Sequence, residues 1–151
     1  MANSSIISLS KSTKFIWTIE NFSSLNDEEH HSSSYFVADD CTWCILIYPK
    51  ELDGKLGMYL MHSGMKSPYA EFSSTVFNQK NQKKTVTLGT HFLRFRLHCW
   101  KMHVRWLPKL GFSNMMPLSD LHDPDKGFLV DDTCILQVEI SIGWPDDSDI
   151  T

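Results

Sequence analysis

Over residues 134–142 the apolar side chains Cys134, Leu136, Val138, Ile140 and Ile142 alternate with Gln137, Glu139 and Ser141, and Ile135 is the only apolar exception. Successive side chains of a β-strand point to opposite faces, so a period of two describes a strand with one face in a core and the other in water. The same period opens the chain: Phe15, Trp17 and Ile19 point one way, and Lys14, Thr18 and Glu20, joined by Ile16, point the other. Further strands are predicted over 35–38, 43–48, 58–62, 69–78, 85–88 and 92–99, separated by Asp, Asn, Gly, Pro and Ser. Only 115–121 reads as briefly helical. Eight short strands without long amphipathic helices between them predict an all-β chain, an eight-stranded antiparallel β-sandwich, rather than a parallel α/β sheet.

The length of 151 residues suits one core, and 12% aromatic residues supply more buryable area than a disordered chain carries. The expected organisation is a tail over 1–12, a domain over 13–144 and an acidic tail over 145–151. No apolar run approaches the roughly 20 residues of a membrane-spanning helix, and the first residues lack a basic leader. The expectation is an intracellular protein, cytoplasmic or nuclear, without membrane insertion. Its four cysteines are expected to be reduced, and the sequon at Asn21 carries no weight in that setting. A formal charge of −4 argues against general affinity for nucleic acid.

That charge is unevenly spread. Residues 80–109 hold eight basic and no acidic side chains, and residues 110–151 hold nine acidic ones and a single base, Lys126. The two stretches could screen each other, or the first could form a ligand face. In a strand over 92–99, Arg94, Arg96 and His98 would form a row opposite Leu93, Phe95, Leu97 and Cys99, suited to an acidic peptide. The only CxxC, at Cys41 and Cys44, falls on a predicted strand, where residues three apart face opposite sides and cannot share a metal or disulfide without a bulge. His98, Cys99 and His103 cluster without a recognised ligand spacing, and there is no GxSxG, GxxxxGK or HExxH. Residues 123–127 begin like a calcium loop, but the twelfth position is Cys134 where a Glu is required, so they read as a turn. No metal site, cofactor or catalytic residue is expected.

Several blocks together resemble the MATH domain, the TRAF-C-type family: 15–23 (FIWTIENFS), 43–50 (WCILIYPK), Met58-Tyr59-Leu60, 69–72 (YAEF) leading to Asn78-Gln79, and 111–121 (GFSNMMPLSDL) followed by 125–132 (DKGFLVDD). The wording is most similar to plant members. The resemblance implies a sandwich that recognises short extended peptide segments of partner proteins, as an adaptor in ubiquitin-related or scaffolding assemblies, with no catalysis of its own; it leaves oligomerisation open. It also implies site residues: Tyr59 and Phe72 match aromatic groove positions, and Lys109, Leu110, Gly111 and Phe112 stand where many relatives carry Asp-Trp-Gly-Phe. Here Leu110 replaces an aromatic platform and Lys109 reverses a charge, so an acidic or phosphorylated peptide is expected. For Tyr59 and Phe72 the alternative is plain core packing, and Gly111 could serve the backbone instead of a ligand. Two other functions are weighed: a carbohydrate-binding sandwich, for which Trp100 and Trp106 are the only candidate aromatics, and a thiol or metal enzyme built on Cys41, Cys44 or His98.

Overall fold

Apolar alternation and tight turns fold the chain into two antiparallel sheets in a computed structural model that describes residues 11–63, 69–89, 93–94 and 109–144. The first sheet runs β1 (Thr13–Ile19), β10 (Cys134–Gly143), β6 (Tyr69–Val76), β7 (Val86–Gly89), with β8 (Leu93–Arg94) also paired to β6. The second runs β2 (His31–Ser32), β4 (Cys41–Tyr48), β5 (Lys55–Ser63), β9 (Lys109–Pro117), with β3 (Phe36–Ala38) also on β4. The inward rows meet as one core: Leu136, Val138, Ile140 and Ile142 of β10 with Ala70 and Phe72 of β6 on one side, Trp43, Ile45 and Ile47 of β4 with Leu56, Met58 and Leu60 of β5 on the other. Phe15 of β1 stacks on Phe36 of β3 at 4.4 Å and closes the sandwich along one margin.

Two hairpin-like turns use the same device. Asp39 and Asp40, at φ 49° and 63°, join the Ala38–Cys41 pair, and Asp131 and Asp132, at φ 49° and 56°, join the bridge between Val130 and Thr133. Positive φ at both central residues matches the right-handed twist of the flanking strands, and Asp tolerates that region better than most residues. The first turn is tied down by Trp144 Nε1, which donates to Asp39 Oδ2 at 2.9 Å. Residues 123–127 form the expected turn, with Asp125 N donating to Asp123 Oδ1 and Gly127 at φ 98°.

The sandwich is as expected, and the strand inventory differs in three places. Ten strands are present among the described residues because His31–Ser32 and Lys109–Pro117 also pair. The helix is shorter than 115–121: Met115, Met116 and Pro117 belong to β9, and α1 spans Leu118–Leu121 only. Proline at 117 cannot donate to a helical ladder but fits just before a helix begins. Of the strand predicted over 92–99, Leu93–Arg94 is a strand, and the rest lies outside the described residues. The predicted tails, 1–10 and 145–151 in particular, lie outside them as well.

Candidate functional site

The two outer faces of the sandwich differ in chemistry. On the first sheet the outward residues include Lys14, Glu71, Ser73, Gln137, Glu139 and Ser141, the wet face read from the alternation, with Ile16 exposed among them. A shallow depression of about 380 Å³ lies there beside Glu71 and Glu139, and Ser12 Oγ donates to Glu139 Oε1 at 2.9 Å. On the second sheet the apolar character extends to the outer side of β4. β4 reads as a nearly unbroken apolar run, and Cys44 and Leu46, which point away from the core, are 2% and 4% exposed. Such a run marks a strand covered on both faces.

Tyr59 sits in this second outer face, between Leu46 of β4 and Gly111 of β9 in register. Its neighbours on β5, Met58 and Leu60, are in the core, so the alternation puts its ring outside, half-buried. The ring meets Tyr48 edge-on at 5.5 Å, and His30 lies 5.8 Å beyond Tyr48. The Tyr59 hydroxyl donates to Glu51 Oε1 at 2.9 Å. Burial, then the hydrogen bond and charge of Glu51, push its pKa up to about 12; Ser113 acts against them. Glu51 comes from the turn between β4 and β5 and fills the space where a side chain at position 57 would stand. Sequence reasoning missed Glu51, Tyr48 and Ser113; the continuous apolar run of β4 was the signal that this face is not an ordinary wet one.

β9 carries four of the predicted site residues in alternation. Leu110 and Phe112 pair with Leu60 and Met58 and therefore face inward, half-buried against the core. Phe112 lies 6.3 Å from Phe72, which is 2% exposed on β6. Gly111 and Lys109 occupy the other register, opposite Tyr59 and Met61. The structure thus brings Tyr59 and Gly111 together on the outer face and Leu110, Phe112 and Phe72 together at the margin between the sheets. Phe72 packs in the core, as the alternative reading had it, and does not share a face with Tyr59. Gly111 serves the backbone: a Cβ there would lie 2.6 Å from Tyr59 Cα and closer still to the Met58 carbonyl oxygen, where the register slips between Leu56 and Met58.

The remaining candidates separate from this face. Arg94 pairs in register with Tyr69 on the first sheet, and Arg96, His98, Cys99, Trp100, His103 and Trp106 lie outside the described residues. Cys41 joins the core whereas Cys44 lies on the opposite side of β4, as strand geometry requires; burial raises the Cys44 pKa. Cys134 is buried in the core, which pushes its thiol up to about 12. Among the described residues no group of three His, Cys, Asp or Glu is placed to hold a metal ion, and no helix is long and apolar enough to cross a membrane.

A family model described as the MATH domain matches residues 14–140. The chain belongs to the MATH domain family. This MATH domain is 39% identical over 137 residues to ubiquitin C-terminal hydrolase 12 of Arabidopsis thaliana, a match covering 85% of the chain and 11% of that protein. It is 32% identical over 151 residues to a MATH domain and coiled-coil domain-containing protein of the same plant, covering 90% of the chain and 42% of the relative. The chain therefore spans less than half the length of these relatives. Among solved structures, the TRAF5 of Notothenia coriiceps shares the fold with a TM-score of 0.59 at 18% identity, over 84% of this chain and 72% of that one. The matched span runs from β1 into β10, so Tyr59, Glu51 and all of β9 belong to the MATH domain itself.

Proposed function

We propose that this MATH domain recognises an extended peptide segment of a partner protein along β9 and carries out no catalysis of its own. The observation that supports it best is the pairing of an apolar, aromatic outer face with a bordering strand: β9 ends its sheet among the described strands, Tyr59 lies on one side of it, and half-buried Leu110 and Phe112 lie on the other. A peptide added to such an edge gains main-chain hydrogen bonds, and its alternate side chains fall to the two sides, which is how strand addition combines affinity with selectivity. The ubiquitin C-terminal hydrolases among the relatives support placing the domain in a ubiquitin-related assembly, as the part that selects a partner.

Lys109 in this edge favours a ligand carrying Asp, Glu or a phosphorylated residue, since charge complementarity at a rim sets partner choice. The test is titration of a library-selected peptide against wild type, Lys109→Asp and Leu110→Trp at two salt concentrations. Lys109→Asp should weaken an acidic peptide, most at low salt where like charges are least screened. Leu110→Trp should strengthen many peptides, by up to about 1–2 kcal/mol where the ring is covered. Unchanged affinity and salt dependence in Lys109→Asp would remove the peptide from this edge.

A further inference from the structure

Glu51 is the carboxylate that the Tyr59 hydroxyl meets, and its position has consequences for which peptides the proposed edge admits. It is half-buried, comes from outside the four-residue block of β9, and is held in place twice: it accepts from the Tyr59 hydroxyl, and it occupies the space over Gly57. Among the described residues the ion pairs join Lys55 to Asp53 and Lys126 to Asp120, and none reaches Glu51. Lys55 meets Glu51 through the backbone, Glu51 N donating to the Lys55 carbonyl at 2.8 Å, while its ammonium pairs with Asp53. A half-buried carboxylate outside any such ion pair attracts a positive group more strongly than an exposed one does, because less water screens it. The Tyr59 hydrogen is committed to Glu51, so the corner presents acceptor oxygen and negative charge. On this face of β9, Gly111 opposite Tyr59 brings no side chain to the corner, and Ser113 brings only a small hydroxyl, which acts on Tyr59.

We infer that Glu51 is a specificity-determining residue of the peptide edge, selecting a Lys or Arg side chain on the bound segment. The inference rests on the peptide-binding reading above and refines it. Lys109 stands opposite Met61, two residues along β5 from Tyr59 and four from Gly57, over which Glu51 folds. Along the register, a lysine position and a carboxylate therefore stand two to four residues apart on this edge. Side chains on one face of an added strand recur every second residue, at about 3.3 Å of rise each. A matching peptide carries its acidic and its basic residue two or four positions apart, on the same face. A uniformly acidic peptide fits the Lys109 end and is repelled at the other.

The experiment is selection of a phage-displayed random dodecapeptide library on the wild-type domain and, separately, on Glu51→Gln. Glutamine keeps the length, the cover over Gly57 and an acceptor for Tyr59, so the fold is retained and only the charge goes. Wild-type clones should carry Lys or Arg two or four positions from an acidic residue, and clones from Glu51→Gln should lose the basic preference. A synthetic wild-type-selected peptide should bind Glu51→Gln about fivefold more weakly, the scale of a partly screened charge pair, and its Lys→Ala version should bind both proteins alike. Clones with the same basic preference on both proteins, or with none on wild type, would overturn the role of Glu51 and leave peptide binding standing. Absence of any enriched clone on wild type would overturn the peptide reading itself.

Discussion

Gly111→Ala tests whether β9 is held by the close approach described here. The backbone at 111 is outside the left-handed range, so any cost is steric. A methyl group would stand 2.6 Å from Tyr59 Cα and 3.2 Å from the Met58 carbonyl carbon, and nearer still to the Met58 oxygen. Carbon atoms rest at about 3.5–4.0 Å, so the β5–β9 pair must open by about 1 Å at that point, and the obstructing atoms are backbone that cannot rotate aside. Forced backbone shifts cost about 1–3 kcal/mol, and the smaller freedom of the unfolded alanine chain returns about 0.4–1 kcal/mol. The expected net loss is about 1–2 kcal/mol, which at a urea slope of about 1–3 kcal/mol/M lowers the midpoint by roughly 0.5–1 M. Gly89→Ala is the control: in β7 the nearest atom to an added methyl is Ser73 Cβ at 3.9 Å, an ordinary contact, and the change should be neutral or mildly stabilising. Urea unfolding of the two variants beside wild type decides the matter. Equal midpoints for Gly111→Ala and Gly89→Ala would refute the close approach.

Two further outcomes follow from buried polar groups. His62 is 2% exposed, its ring packs on Trp43 at 4.7 Å, and burial lowers its pKa from the ordinary 6.5. The unfolded chain then binds the extra proton first, so stability should fall as pH drops below about 6.5, by at most about 1.4 kcal/mol per pH unit, and His62→Leu should flatten that slope in urea titrations at pH 5.5 and 7.5. Asn78, 1% exposed, donates to the Lys126 carbonyl at 2.7 Å and accepts from Lys80 N at 3.1 Å and Asn81 N at 2.9 Å. Asn78→Ala strands all three backbone groups and should cost about 1–3 kcal/mol; a loss below about 0.5 kcal/mol by thermal or urea unfolding would show that the 78–81 and 126–128 segments do not depend on this side chain.

The sandwich was legible because β1 and β10 bury one face only, and alternation records that directly. β9 was hidden for the opposite reason. Its middle, Gly111-Phe112-Ser113-Asn114, is mostly residues that ordinarily mark turns, Phe112 being the exception, and the register slip against β5 breaks the period of two at the same point. Glycine there is not a turn signal but the residue that lets two backbones meet. The short pair β2 was invisible because two residues contain no period at all. Asp39-Asp40 and Asp131-Asp132 each read as loop, yet each is a tight two-residue turn whose form follows from positive φ rather than from composition.

The candidate site was only partly legible, for a geometric reason. Four consecutive residues, Lys109 to Phe112, read as one motif along the chain, but a strand sends them to two sides: Gly111 with Tyr59 outside, Leu110 and Phe112 with Phe72 at the margin. Aromatic residues expected to share a groove are separated by the thickness of a sheet. Glu51 could not be found from pattern, because its partner Tyr59 is eight residues away across a turn and neither residue type is unusual there. Only the pairing of β5 with β9 sets position 109 and the Gly57 that Glu51 covers within four residues of each other in register. In a chain with a net charge of −4, the proposed peptide edge thus combines a lysine position with a carboxylate. On the proposed edge, opposite charges would supply what main-chain hydrogen bonds cannot: the bonds tolerate any sequence, whereas a fixed pair of opposite charges rejects peptides that carry them in the wrong order or at the wrong spacing.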